Sequence, residues 1–153
     1  MKPSLTLGIL AFLALPVWAQ EAGSTDANPP VTFILEGYDV DLSEFLWIKR
    51  PVVVFADSPF DPSFVQQMLH ITDRLDELAE RDVVVLTDTD PSAESALRRQ
   101  LRPRGFMLAL IGKDGQVKLR KPKPWDVREL SRTIDKIPMR TQEMRGARRL
   151  LDE

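Results

Sequence analysis

The sequence predicts an α/β domain with a mixed central sheet flanked by helices. Two continuous β-branched runs, residues 52–56 (VVVFA) and 83–86 (VVVL), are typical of strands buried on both faces. A helical pattern separates them, which predicts a right-handed βαβ unit with parallel strands. A third apolar run at 106–111 is followed by a Lys-Asp-Gly turn and residues 117–120, which predicts an antiparallel hairpin.

The N-terminal residues 1–19 have the pattern of a cleaved secretory signal peptide. A lysine precedes an apolar stretch, and Val17-Trp18-Ala19 has the small-residue spacing that signal peptidase recognises. A retained membrane anchor is the alternative, but the stretch is shorter than the roughly 20 residues a span needs and contains Pro16. We expect cleavage after Ala19, no stable membrane anchor afterwards, and a periplasmic or secreted mature protein.

Composition predicts one ordinary globular domain. The chain has 153 residues, a formal net charge of −2, 43% hydrophobic residues and no cysteine, so the domain folds on its apolar core without disulfides. Residues 20–30 are small, polar or proline and predict a flexible lead-in. We expect the domain over residues 31–137 and a basic C-terminal tail, with a helical tendency, over 138–153.

The remaining elements follow from caps and periodicity. Strand 31–35 and a helical turn at 41–45 precede the first buried strand, and Asp61-Pro62 opens a helix that runs to about Glu80. A second helix is predicted from Asp90-Pro91 through Leu101. The Asp126 and Glu129 pair predicts the start of a third helix, which Pro138 ends, and a short last helix follows from about Thr141.

This order, βαβα followed by a hairpin and a helix, resembles the core of thioredoxin-like domains. Residues 41–45 (DLSEF) ahead of 51–55 (PVVVF) also resemble the lead-in of exported thioredoxin and peroxiredoxin relatives. The resemblance covers residues 31–137 and implies a thioredoxin-like fold.

Three segments carry a closer resemblance. They are residues 47–51 (WIKRP), 105–120 with its IGKDG turn, and 137–145 with its IPMR and EMR groups. These segments resemble the P-DUDES group, uncharacterised domains found in bacterial exported proteins and in vertebrate matrix proteins of the sushi-repeat type. That group has no settled activity, so the resemblance implies fold and compartment rather than chemistry.

The redox site of thioredoxin-like enzymes has no counterpart in this sequence. Pro59-Phe60-Asp61-Pro62 stands where the resemblance places the cysteine pair, and Met107 stands where it places the cis-proline. Disulfide exchange and cysteine peroxidase chemistry both require a thiolate. The absence of cysteine therefore excludes them.

Four aspartates fall at the carboxyl ends of the predicted strands, which is the edge where open α/β sheets bind ligands. Asp57, Asp61, Asp88 and Asp90 together would suit calcium or another hard cation. In the alternative, Asp61 and Asp90 cap helices ahead of prolines and the other two are turn residues. The spacing matches no calcium loop, which favours the alternative.

Charge divides the chain into two halves. Residues 20–97 carry sixteen acids and four bases, net −12, while residues 98–153 carry sixteen bases and seven acids, net +9. The two halves either compensate one another in the fold or leave a cationic surface for anionic polymers. The candidate surface is Arg98, Arg99, Arg102, Arg104, Lys118, Arg120, Lys121 and Lys123.

The residues favour a binding module over an enzyme. No serine lies in a GxSxG setting, and one histidine, His70, without cysteine cannot form the usual zinc site. No catalytic residue, cofactor or nucleic-acid motif is predicted. We expect an exported, non-catalytic module that binds a protein or an anionic envelope polymer through residues 57–61 and 102–107 or through its basic half. An enzyme or a cation-dependent site on the strand-end aspartates is the alternative.

Overall fold

The structure, a computed structural model, describes residues 32–152. The predicted signal peptide 1–19 and lead-in 20–30 lie outside the described residues, as does Val31 at the start of the first predicted strand. Over 32–152, no helix has both the length and the apolar character that crossing a bilayer requires.

A five-stranded mixed sheet forms the centre of the domain. Its strands are β1 Ile34–Glu36, β2 Arg50–Phe55, β3 Val83–Asp88, β4 Met107–Ile111 and β5 Val117–Lys121, in the spatial order β1-β3-β2-β4-β5. β3 is parallel to both β1 and β2, whereas β4 is antiparallel to β2 and to β5. The predicted βαβ unit and hairpin are therefore confirmed.

Alternating residues of the central strands build two apolar layers, one on each face of the sheet. Val52, Val54 and Val85 pack with Ile71 and Leu130 on one face. On the other face, Val53, Phe55 and Leu86 pack with Leu97 and Leu101. Burial on both faces explains why β2 and β3 have continuous apolar sequences instead of alternating ones.

The helix predicted over residues 61–80 is divided in two. Asp61 caps its start as predicted, because its Oδ1 accepts hydrogen bonds from the backbone N–H groups of Ser63 and Phe64 at 2.8 and 3.1 Å. The helix ends as α1, Pro62–Thr72, and resumes as α2, Leu75–Ala79, after Arg74 departs from helical geometry at φ −141°. The break turns α2 so that Leu78 and Ala79 are buried.

The second predicted helix begins later than expected. Asp90 and Pro91 open only a 3-10 turn, Pro91–Ala93, which ends where Glu94 takes a left-handed conformation at φ 44°. The helix proper, α3, runs Ala96–Leu101, and the hydroxyl of Ser95 caps it by accepting from the Arg98 N–H at 3.1 Å.

The C-terminal helices also correct a prediction. Helix α4 spans Val127–Asp135 behind its Asp126 cap, and Glu129 pairs with Arg132 on the surface. Pro138 does not merely end this helix, because it occupies the first turn of a new one, α5, Pro138–Leu151. Helix α5 is therefore 14 residues long and starts three residues before Thr141.

Candidate functional site

The loop that replaces the redox site lies at the carboxyl end of β2. Phe60 is 86% exposed there, and Asp61 is occupied as the α1 cap. Met107 begins β4 directly opposite Phe55, and a Cβ placed on Gly105 would lie 3.9 Å from an Asp57 carboxylate oxygen. The two loops predicted to form a binding face are thus neighbours, but they bring no thiol or paired acid and base together.

The four candidate aspartates have separate environments. Asp61 caps α1, and Asp90 accepts from the backbone N–H of Ser92 at 2.9 Å and from its hydroxyl at 2.5 Å. The Ser92 hydroxyl and N–H are the main reasons that the pKa of Asp90 is lowered. Asp57 is exposed, whereas Asp88 is fully buried.

Asp88 is the centre of a buried polar network. Its carboxylate accepts from the Ser95 hydroxyl at 2.5 Å and from Arg98 Nε at 2.8 Å. The same guanidinium donates to the Ala56 carbonyl at 2.6 Å and lies 5.5 Å from the centre of the Phe55 ring. These contacts hold α3 against the ends of β2 and β3. The charges of Asp88 and Arg98 therefore have a structural role.

Within residues 32–152, no group of three or more His, Cys, Asp or Glu side chains is placed to hold a metal ion. The aspartates share one end of the sheet, yet caps and the Arg98 ion pair occupy the carboxylates of three of them. The arrangement therefore favours the cap and turn roles.

Five of the eight basic candidates are engaged by neighbouring groups. Arg98 is buried against Asp88, Lys118 pairs with Asp114 at 2.6 Å, and Arg120 donates to the Leu101 carbonyl at 2.6 Å. Lys121 lies over the Trp125 ring at 4.4 Å. Arg99 donates to the Glu94 carbonyl. Among the described residues, three exposed candidates have no ion pair or hydrogen bond from the side chain: Arg102, Arg104 and Lys123.

An open cleft of about 390 Å³ lies between the loop after β1 and the start of α3. Tyr38, Asp39, Asp41, Glu94 and Arg99 give it a polar lining. The Ser95 hydroxyl at its border is already donated to Asp88. The cleft therefore offers polar contacts but no activated nucleophile.

A second charged cluster lies at the opposite end of the sheet, around Arg50. This side chain is fully buried and donates to the Arg81 carbonyl at 2.8 Å and to Glu143 Oε1 at 2.9 Å. Lys113 Nζ bridges the same Glu143 oxygen, at 3.0 Å, and Asp82, at 2.8 Å. The cluster joins the start of β2, the β4–β5 turn and α5.

The Arg50 cluster has no room for a ligand. Although burial raises the pKa of Glu143, hydrogen bonds from Arg50 and Lys113 outweigh it and hold that pKa below its usual range. Arg50 Nε is buried without a partner, and the adjoining cavity of about 10 Å³ has space for a single water molecule. We conclude that the cluster is structural and that it holds the adjacent surface loop in place.

That surface is the Trp47 loop, which we define as Leu46, Trp47 and Ile48. Trp47 and Ile48 are 67% and 62% exposed, and Trp47 has a left-handed backbone at φ 64°. The Trp47 N–H donates to the Lys113 carbonyl at 2.7 Å, and the Ile48 N–H to the Phe45 carbonyl at 3.0 Å. The backbone that carries this large exposed aromatic residue is thus held by hydrogen bonds, in a conformation that costs about 1–3 kcal/mol.

Residue-level reasoning from the sequence did not identify this loop as a site. The available signal was the closer resemblance, because Trp47, Arg50, Lys113 and Glu143 come from the three segments that carry it. The structure brings those segments together at one end of the sheet. Sequence spacing alone could not show that they meet.

Comparisons with known proteins agree with the fold. The DUF4174 model, described as a domain of unknown function, matches residues 41–143. No curated protein matches the chain. Thioredoxin peroxidase I of Plasmodium yoelii is similar in structure, with a TM-score of 0.51 and 18% identity over 63% of this chain and 76% of that chain.

The reduced 2-Cys peroxiredoxin of Plasmodium vivax is also similar, with a TM-score of 0.54 and 17% identity over 67% of this chain and 85% of that chain. At these identities the likeness shows the fold alone, and the fold is thioredoxin-like. The family match covers most of the folded domain and includes the Trp47 loop and the Arg50 cluster. The chain is therefore a member of the DUF4174 family, a thioredoxin-like domain of unknown function.

Proposed function

We propose that this protein is an exported, non-catalytic binding module that recognises a protein partner through the Trp47 loop. The observation that carries the proposal is the exposure of Trp47 in a strained, hydrogen-bonded backbone. Strain of this kind persists only where the surroundings impose it, and it concentrates at functional sites.

The loop is preorganised for binding. Backbone hydrogen bonds to Phe45 and Lys113 fix it, and Gly115 closes beneath it, where a Cβ would come within 2.8 Å of Leu46 Cδ2. A rigid aromatic residue loses little conformational entropy when it binds, so more of its contact energy contributes to affinity. Exposed tryptophans are accordingly enriched among the residues that dominate protein interfaces.

The charges around the loop favour a protein over an anionic polymer. Lys113 is paired with Asp82 and Glu143, and Lys49 lies 4.0 Å from Asp82. These cations are already neutralised by neighbours, which leaves a balanced polar rim around an apolar centre. That arrangement is typical of a protein interface.

The absence of cysteine and the roles of the strand-end aspartates support a non-catalytic function. No thiol exists in the chain, and three of the four strand-end aspartates are engaged as caps or in the Asp88–Arg98 pair. A cation-dependent enzyme would need those carboxylates to be free and convergent.

Export is part of the proposal and is supported by residues 1–19 of the sequence. Expression of the full chain in a bacterium should give a periplasmic or secreted product whose first residue is Gln20. Cell fractionation and N-terminal sequencing measure this. An uncleaved chain in the cytoplasm would contradict it.

We also propose that the chain is one of the P-DUDES domains. The convergence of its three resembling segments on the Arg50 cluster supports this assignment. An alignment of that group should then retain the arginine, lysine and glutamate of the cluster together, and their independent loss would argue against it.

The binding proposal is tested by comparing two exposed aromatic residues at opposite ends of β2. Tagged mature protein, Trp47→Ala and Phe60→Ala would be incubated with envelope extract from the producing cells, and the captured proteins identified. We expect a specific partner to be retained by the wild type and by Phe60→Ala and to be lost with Trp47→Ala.

Circular dichroism must show that both variants are folded, which is expected because neither side chain is buried. Retention of the partner by Trp47→Ala would overturn the proposed surface. Loss with Phe60→Ala alone would move the binding site to the loop at the carboxyl end of β2.

A further inference from the structure

The two edges of the sheet differ in chemistry. The edge strand β5 carries Lys118, Arg120 and Lys121, and charged residues of this kind protect a free edge from pairing with another chain. The other edge strand, β1, has three residues, of which Glu36 alone is charged. Phe33 just before it is 56% exposed, and Ile34 and Leu35 within it are each 40% exposed.

Within residues 32–152, the backbone of β1 has hydrogen-bonding groups without a partner. The Phe33 carbonyl accepts from the Val85 N–H at 2.9 Å, and the Gly37 N–H donates to the Thr87 carbonyl at 2.8 Å, so the odd-numbered residues face β3. The N–H and C=O groups of Ile34 and Glu36 consequently point away from the sheet. In the described part of the chain, β3 is the single strand that pairs with β1.

We propose that β1 pairs with β1 of a second copy of this chain. The two strands would run antiparallel about a two-fold axis at Leu35, which joins two five-stranded sheets into one of ten strands. This inference is independent of the proposed Trp47 surface. Symmetric pairing of a strand with itself closes after two copies, whereas pairing of β1 with β5 would continue into a filament.

The register follows from which groups are free. Ile34 and Glu36 face outward, so centring the pair on Leu35 places Ile34 opposite the partner's Glu36 and forms two reciprocal hydrogen-bonded pairs. Glu36 does not then face its own copy, which avoids two like charges directly opposite. Leu35 meets Leu35, and Phe33 faces the partner's Gly37, a pairing in which an aromatic ring covers a glycine.

A first experiment measures mass against concentration for the mature chain, residues 20–153, by sedimentation velocity. We expect the mass to rise from one chain to two. Leu35→Lys and Leu35→Glu should each move the midpoint to a concentration at least about tenfold higher, because like charges then meet at the axis. An equimolar mixture of the two variants should recover dimers, since opposite charges would face each other.

Val117→Lys is the matched control, because Val117 lies on the opposite edge strand and is also 40% exposed. It should dimerise like the wild type. Thermal unfolding of every variant establishes that the monomer remains folded.

A second experiment uses the absence of native cysteine. Leu35→Cys should form an intermolecular disulfide rapidly under mild oxidation. Directly opposed residues at a non-hydrogen-bonded position have Cα atoms about 4.5 Å apart, within the range that a disulfide spans. Ile34→Cys and Val117→Cys should crosslink much more slowly, because neither residue faces its own copy.

A single-chain mass at every concentration would overturn the proposal, as would crosslinking of Ile34→Cys in preference to Leu35→Cys. A ladder of higher multiples, or loss of association in Val117→Lys, would also overturn it, because both indicate head-to-tail association through β5.

Discussion

The aspartates at the carboxyl ends of the strands have several different roles. Asp61 and Asp90 cap turns of helix, whereas Asp88 is fully buried and paired with Arg98. The caps were readable from the prolines that follow them. The role of Asp88 could not be predicted from the sequence, because its partner Arg98 lies ten residues away. The two side chains meet only because the 3-10 turn and the Ser95 cap change the direction of the chain between them.

We predict that Asp88→Ala lowers the free energy of unfolding by about 3–5 kcal/mol, because it leaves a largely buried guanidinium without its counter-ion. Asp57→Ala removes an exposed carboxylate at the same end of the sheet and should change that free energy by less than about 0.5 kcal/mol. Urea denaturation measures both.

Adding Arg98→Met to Asp88→Ala should recover part of the loss, because an apolar pair replaces the orphaned charge. Equal effects from Asp57→Ala and Asp88→Ala would contradict the structural role assigned to the network.

Among the secondary-structure elements, the strands were predicted more accurately from the sequence than the helices were. Uninterrupted β-branched runs such as 83–86 identify central strands, since only a position covered on both faces tolerates them. Helix starts were readable at Asp61 and Asp126, where a side-chain oxygen caps the first turn. The fold class followed from these two signals.

The errors occurred where one local signal has two structural meanings. Apolar spacing continues through Arg74 because α2 also packs on the core, so periodicity could not show the break. Pro138 is compatible with both the end of one helix and the first turn of the next, and the chain uses it for the start of α5. The Trp47 loop had no signal from periodicity or helix capping, because its support comes from Lys113 across the fold.

Helix α5 is attached mainly through charge. None of its side chains is fully buried, but Glu143 contacts Arg50 and Lys113, and Arg140 donates to the Glu80 carbonyl at 2.9 Å. The attachment should therefore depend on the ionisation of Glu143.

We predict that α5 detaches in acid. The pKa of Glu143 is lowered in the folded protein, so the stabilisation is complete above the ordinary value of 4.5 and is lost as the pH falls through the lower, folded value. Amide hydrogen exchange, expressed as protection factors, should show α5 protected at pH 7 and selectively exposed near pH 3.

Glu143→Gln should reduce the protection of α5 already at pH 7. Glu129→Gln is the matched control, because Glu129 forms an exposed pair with Arg132 that is worth little. Equal protection of α5 in wild type and Glu143→Gln would show that apolar contacts hold the helix instead.

For the whole molecule, ion pairs connect the two halves of the chain, but only some of them bring the excess charges of the halves together. Four ion pairs join the acidic half to the basic half across the described residues. They are Arg50–Glu143, Arg81–Asp135, Asp88–Arg98 and Asp82–Lys113. Asp88–Arg98 and Asp82–Lys113 pair an acid of the acidic half with a base of the basic half. The other two pairs use the minority charge of each half, so the asymmetry is compensated only in part.

The engagement of five of the eight basic candidates limits what this set contributes to the salt dependence of polyanion binding. Each cation that displaces a counter-ion from duplex DNA contributes about 0.9 to the slope of log affinity against log salt concentration. Arg102, Arg104 and Lys123 are the exposed candidates without a partner among the described residues. We therefore expect the eight candidates together to contribute about 3 to the slope, with DNA used only as a polyanion of known charge spacing.

Participation of all eight predicted basic residues would instead contribute about 7. Fluorescence anisotropy over a series of salt concentrations measures each contribution as the change in slope when a candidate is replaced with glutamine. Replacing both Arg102 and Arg104 with glutamine should lower the slope by about 2. Arg98→Gln should destabilise the fold without changing the slope, because that guanidinium is buried against Asp88. A fall in slope for Arg98→Gln equal to that for Arg102→Gln would mean that the eight residues act as one surface, and the Asp88–Arg98 pair would then have to open when the polymer binds.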